Sequence, residues 1–154
     1  MRILDFLSPD GIISSLTASS KDQVLAELVE PIAAANSSID KALLIDILVG
    51  RENLGSTGIG GGVAIPHGKL DGLHQLVASF GKSSKGIDFS SMDNKPAHLF
   101  FLLVAPKNSA GEHLKALARI SRLFKDPLLK AGLQQANSAE EIYRILEEFD
   151  QRVP

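Results

Sequence analysis

The run from His98 to Ala105, His-Leu-Phe-Phe-Leu-Leu-Val-Ala, is the most continuous apolar stretch in the chain and constrains its fold most tightly. Its length and its Phe and Val content favour a strand over a helix. An apolar run without alternation has no face to give to water, so such a strand is covered on both sides. Asp93-Asn94-Lys95-Pro96 turns into it and Pro106 ends it. A chain of 154 residues is long enough to bury a real core. The expected fold is α/β, a mixed sheet flanked by helices on both sides, forming one domain over residues 1–154.

The other elements fit that frame. Ser20 followed by Gln23 has capping-box spacing, and Val24, Leu25, Leu28, Val29 and Ile32 continue as a helical stripe ending near Ala35. Asp40 can cap a second helix with Leu43, Leu44, Ile47 and Leu48 on its apolar side and Arg51 in or just past its last turn. Leu76–Phe80 is apolar enough for a strand, Gly81–Gly86 looks like a polar connection, and Ile87–Phe89 like a short edge strand. Ser109 to Glu112 is a second capping box, Asp126-Pro127 opens a short helix, and Ser138 to Glu141 opens a last one.

Composition removes whole classes of function. With no cysteine there are no disulfides, no thiol catalysis and no zinc-thiolate site. A net charge of -2 offers no basic face for nucleic acid. No apolar run approaches the roughly 20 residues that span a bilayer, and the N-terminus lacks a signal-peptide layout. A cytoplasmic protein without cofactor or bound metal is expected.

Chemistry concentrates between Arg51 and Gly68, where six of the 13 glycines fall within fourteen residues. Glycine density of this kind is entropically unfavourable and implies a backbone requirement, with positive φ expected at Gly58 or Gly60. The segment lacks the Gly-Lys-Ser/Thr of a P-loop, and Val63 stands where a dinucleotide fingerprint needs its third glycine. Gly55-Ser56-Thr57-Gly58 is one residue short of a hydrolase elbow, and no pair of histidines has metal-ligand spacing. Pro66 and Gly68 stiffen the backbone on either side of His67, which should present the ring at a strand end. His113 falls in the first turn of its helix, where anions are attracted. A neutral imidazole is a competent nucleophile near pH 7, and arginine offers a fixed fork for phosphoryl oxygens. Each residue also has a plainer reading: His67 a loop histidine, His113 a surface residue near a cap, Arg51 a helix-end cation. His98 reads as structural and His74 as exposed.

Arg51-Glu-Asn-Leu-Gly-Ser-Thr-Gly-Ile-Gly, then Val-Ala-Ile-Pro-His67-Gly-Lys, Gly86-Ile-Asp-Phe89 and Glu112-His113-Leu114 together resemble enzyme IIA of the fructose/mannitol class of the bacterial phosphotransferase system. The resemblance spans essentially the whole chain and is nearest the nitrogen-regulatory branch. It implies a phosphohistidine carrier with His67 phosphorylated by the phosphocarrier protein HPr or its nitrogen-branch paralogue. It implies that Arg51 and His113 help hold the phosphoryl group, with Ser56 in the same phosphoryl-binding set. Gly61 departs from relatives that often carry a polar or larger residue there. No IIB or IIC segment follows before Pro154, so an onward acceptor, a separate IIB or a regulatory target, would be another chain. Sugar uptake through a separate IIB and a non-catalytic binding module are the alternative roles.

Overall fold

A computed structural model describes residues 1–154. Six strands, β1 (Ile12–Ile13), β2 (Gly58–Gly60), β3 (Val63–Ala64), β4 (His67–Leu70), β5 (Val77–Ile87) and β6 (Ala97–Pro106), form one mixed sheet. Five helices accompany them: α1 (Lys21–Ala35), α2 (Lys41–Asn53), α3 (Ala110–Leu123), α4 (Pro127–Gln135) and α5 (Ala139–Arg152). The path across the sheet is β1-β5-β6-β3-β2, with β4 also paired to β6.

The apolar run is the central strand, and its alternation explains the two layers. Leu99, Phe101, Leu103 and Ala105 of β6 enter a core of 21 buried residues completed by α3, α4 and α5. Ala97, Phe100, Leu102 and Val104 enter a second core of 16 buried residues, filled from the other side by α1 and α2. Truncating Phe101 in the first layer or Phe100 in the second to alanine removes about 3–5 kcal/mol.

Helix starts follow their caps, with one exception. Ser20, Asp40, Asp126 and Ser138 each accept a backbone N–H from their own first turn. At α3 the box fails: Ser109 Oγ donates to Pro106 O at 2.7 Å and gives no side-chain cap. The strand already ending at Pro106 competes successfully for that hydroxyl.

A second expectation is corrected at β5. Gly81–Gly86 is not a connection and Ile87–Phe89 not a separate edge strand; a single strand runs from Val77 to Ile87, antiparallel to β6. Between the pairs Lys82↔Leu99 and Ile87↔Ala97, β5 spends five positions against two on β6. The polar residues sit in this bulge, where Gly86 has φ +85° and donates its N–H to Ser83 Oγ at 3.1 Å. Phe89 lies beyond the strand and is fully buried.

Candidate active site

The site grows from an interruption in one strand. β3 and β4 lie parallel to β6 in a single register, Val63↔Leu99 before the break and His67↔Leu103 after it. The break falls at Ile65-Pro66, because proline has no N–H for the ladder. Pro66 still accepts from Leu103 N–H at 3.0 Å, and Ile65 donates to Thr57 O at 3.0 Å. His67 therefore begins a strand and does not close one, which corrects the expected placement at a strand end.

Its neighbour Gly68 is required for a different reason from a turn. A Cβ there would sit 3.2 Å from Ile47 Cγ2 and 3.3 Å from Leu48 Cδ2. The bare glycine lets α2, which carries Arg51, lie tightly against β4, which carries His67. Positive φ occurs instead at Gly60 (+88°), Gly61 (+64°) and Gly62 (+81°), the turn joining β2 to β3. Gly58 is needed for space, since its Cβ would fall 2.3 Å from Ser91 Oγ.

His67 is half-buried, and its Nδ1 lies 2.8 Å from Ile65 O. A carbonyl can only accept, so Nδ1 carries the proton and Nε2 of the neutral ring holds the free lone pair. Burial pushes the His67 pKa below its usual 6.5; the Ile65 bond opposes this, the Arg51 charge adds to it, and Glu52 opposes it. The ring is thus neutral near pH 7.

His113, carried by α3, faces His67 edge to face, with centroids 5.6 Å apart and planes at 75°. It is 7% exposed, and its Nε2 is buried without a hydrogen-bond partner. Its pKa is also lowered, first by burial, then by the charges of His67 and Lys69. An unpaired buried ring nitrogen is unfavourable and marks a place where a polar ligand atom would be accommodated.

Arg51 lies in the last turn of α2, and its Nη1 donates to Gly55 O at 2.9 Å. It is a helix-end cation, and its charge is felt at His67 as well. Ser56 is placed differently. Its Oγ donates to Phe89 O at 2.5 Å and accepts from Gly58 N–H at 3.0 Å, so the hydroxyl pins the loop. His74 is exposed, and His98 turns Nδ1 to Ser83 O at 2.9 Å.

Sequence reasoning missed Glu52, a buried carboxylate that accepts from Thr57 and pairs with Lys21. Only its place beside Arg51 could have drawn attention to it. It also passed over Lys69, two residues beyond His67 on β4.

Residues 5–149 match the family described as phosphoenolpyruvate-dependent sugar phosphotransferase system, EIIA 2, and the chain belongs to that family. It is a phosphotransfer component of the IIA type. Among its relatives is a nitrogen regulatory protein of Bradyrhizobium diazoefficiens, 42% identical over 146 residues, covering 95% of both chains. A fructose-specific EIIABC component of Bacillus subtilis is 33% identical over 97% of this chain and 24% of its own length. The crystal structure of nitrogen regulatory protein IIA-Ntr from Neisseria meningitidis superimposes with a TM-score of 0.87 at 35% identity, covering 94% of this chain and 98% of that one. No helix is long and apolar enough to cross a membrane.

Proposed function

We propose that His67 is the phosphorylated nucleophile of a regulatory phosphocarrier of the nitrogen type, taking its phosphoryl group from an HPr-type protein. The observation that carries this is the Nδ1 bond to Ile65 O at 2.8 Å, which leaves Nε2 as the free lone pair of a ring facing His113.

Nε2 attacks the donor phosphohistidine in line. The Nε2–P bond forms as the donor N–P bond breaks, and the donor imidazole leaves with that electron pair. Such a transfer depends on position and charge stabilisation more than on proton movement. As Nε2 bonds to phosphorus the His67 ring gains positive character, and the Nδ1–H bond to Ile65 O strengthens with it. Arg51 Nη atoms supply fixed positive charge for the phosphoryl oxygens, and the unpaired Nε2 of His113, protonated, donates to one of them. Ser56 has its donor committed to Phe89 O, so its part is to hold the loop and not to bind phosphate.

The output in this reading is the charge state of the surface. Phosphorylation adds roughly two negative charges at a half-buried ring, which changes what can dock there. The likeness to a fructose-specific protein favours a second role, transfer onward to a separate IIB for sugar uptake. Growth of a deletion strain on fructose or mannitol separates the two: a growth defect supports uptake, and normal growth with altered nitrogen control supports regulation.

Incubation with phosphoenolpyruvate, enzyme I and the phosphocarrier should place acid-labile phosphate on the wild-type protein and none on His67→Ala. Undiminished labelling of the variant would overturn the assignment of the nucleophile.

A further inference from the structure

We propose that Glu52 is a positioning residue for the phosphoryl clamp: together with Lys21 and Thr57 it closes the turn that aims Arg51. This rests on the phosphocarrier reading of His67.

Glu52 is one of the few buried charged residues in the molecule, its side chain only 3% exposed. A carboxylate in that setting is strongly unfavourable unless its oxygens are matched. Both are. Oε1 accepts from Thr57 N–H at 3.0 Å and lies 3.3 Å from Lys21 Nζ, and Oε2 accepts from the Thr57 hydroxyl. Lys21, at the start of α1, also sits 4.8 Å over the Phe89 ring. Phe89 in turn holds Ser56 through its carbonyl.

These contacts grip one short turn. Gly55 N–H donates to Glu52 O at 3.1 Å, Ser56 is tied to Phe89, and Thr57 is tied to the Glu52 carboxylate. The bond from Arg51 Nη1 to Gly55 O exists only while that turn is closed. Releasing Thr57 from Glu52 therefore frees the carbonyl that orients the guanidinium.

A loop could be fastened as well by apolar packing, with less desolvation. What the carboxylate adds is charge. The charged and titratable groups felt at the two rings are Arg51 and Glu52 from α2 at His67, and His67 itself and Lys69 from β4 at His113. Glu52 is the single negative member. Its charge favours the positive character that the His67 ring acquires when Nε2 bonds to phosphorus, which Arg51 alone opposes.

The test uses the full chain with phosphorylated HPr as donor, together with Glu52→Gln and Lys21→Met. Glu52→Gln keeps an oxygen for Thr57 N–H but loses the charge. Its single-turnover transfer rate should fall by up to about a hundredfold at an unchanged half-saturating concentration of carrier. The His67 ring titration, followed by NMR without any carrier, should move to lower pH. Lys21→Met leaves Glu52 charged and unpaired, so it should slow transfer less and move the titration to higher pH. An unchanged rate with an unchanged His67 titration in folded Glu52→Gln would overturn the proposal. If that variant does not fold, the same null result in Lys21→Met overturns it. Absence of transfer to the wild-type protein would instead sink the phosphocarrier reading, while the ring titration still judges Glu52.

Discussion

His67, on β4, and His98, on the central strand β6 that β4 pairs with, are both half-buried, and each turns Nδ1 to a backbone carbonyl, Ile65 at 2.8 Å and Ser83 at 2.9 Å. Anchoring and tautomer are therefore shared. Their surroundings differ. The far side of the His98 ring is covered by backbone: a Cβ on Gly86 would fall 2.8 Å from its Cε1 and 2.9 Å from its Nε2. The His67 ring instead faces His113 at 5.6 Å and feels the charges of Arg51 and Glu52. Holding an imidazole still is common in a folded protein. A site arises where the held ring also keeps an open lone pair among fixed charges.

The largest expected effect separates these two rings outright. His67→Ala should abolish phosphoryl uptake, whereas His98→Ala should retain it and lose about 1–3 kcal/mol of stability through the unpaired Ser83 carbonyl. Labelling paired with chemical denaturation would show this, and loss of labelling in both variants would erase the distinction. Next come the groups around His67. Arg51→Ala and His113→Ala should each remove about 1.5–3 kcal/mol of transition-state stabilisation, or roughly 10- to 150-fold in rate. Stopped-flow transfer measures it; an unchanged rate for Arg51→Ala would reduce that residue to a helix-end cation.

The glycines sharpen the comparison further. Gly86→Ala forces a side chain against the His98 ring at φ +85°, and Gly58→Ala forces one against Ser91. Both should lower stability by about 1–3 kcal/mol, but only Gly58→Ala disturbs the segment leading to His67 and should also slow transfer.

The smallest effect is the pH dependence. The folded His67 and His113 pKa values lie below the usual 6.5, so the unfolded chain binds protons first as pH falls. Their contribution to stability is complete above about pH 6.5 and is lost as pH drops through the folded values. Thermal melts from pH 7.5 downward should show a falling midpoint, with a flatter slope in His67→Ala. The transfer rate should hold until pH passes below 6.5, because the neutral ring persists lower than in a free imidazole.

Much of this was legible in the sequence, for identifiable reasons. β6 announced itself because every residue from Leu99 to Ala105 is buried, four in one core and three in the other. Four of five helix starts followed Ser or Asp caps that form as spacing suggests. β5 did not, since Lys82, Ser83, Ser84 and Lys85 carry no apolar alternation and their strand is kept by a bulge that only the partner strand defines. At the site, residue types suggested His67, Arg51 and His113 but could not give the tautomer, which depends on the carbonyl two residues back. Ser56 entered the phosphoryl-binding set through the family resemblance; the partner that commits its donor, Phe89 O, is 33 positions away. Glu52 was hidden for the same reason, its role being set by Lys21 and Thr57 together.

Everything proposed for the site turns on Nε2 of His67 taking the phosphoryl group while Nδ1 stays protonated against Ile65 O. Correlated proton–nitrogen and phosphorus NMR of ¹⁵N-labelled protein, phosphorylated through enzyme I and HPr, tests it directly. One phosphohistidine is expected, with phosphorus coupled to Nε2 of His67 and a proton retained on Nδ1. Phosphorus coupled to Nδ1, or carried by His113, would contradict it.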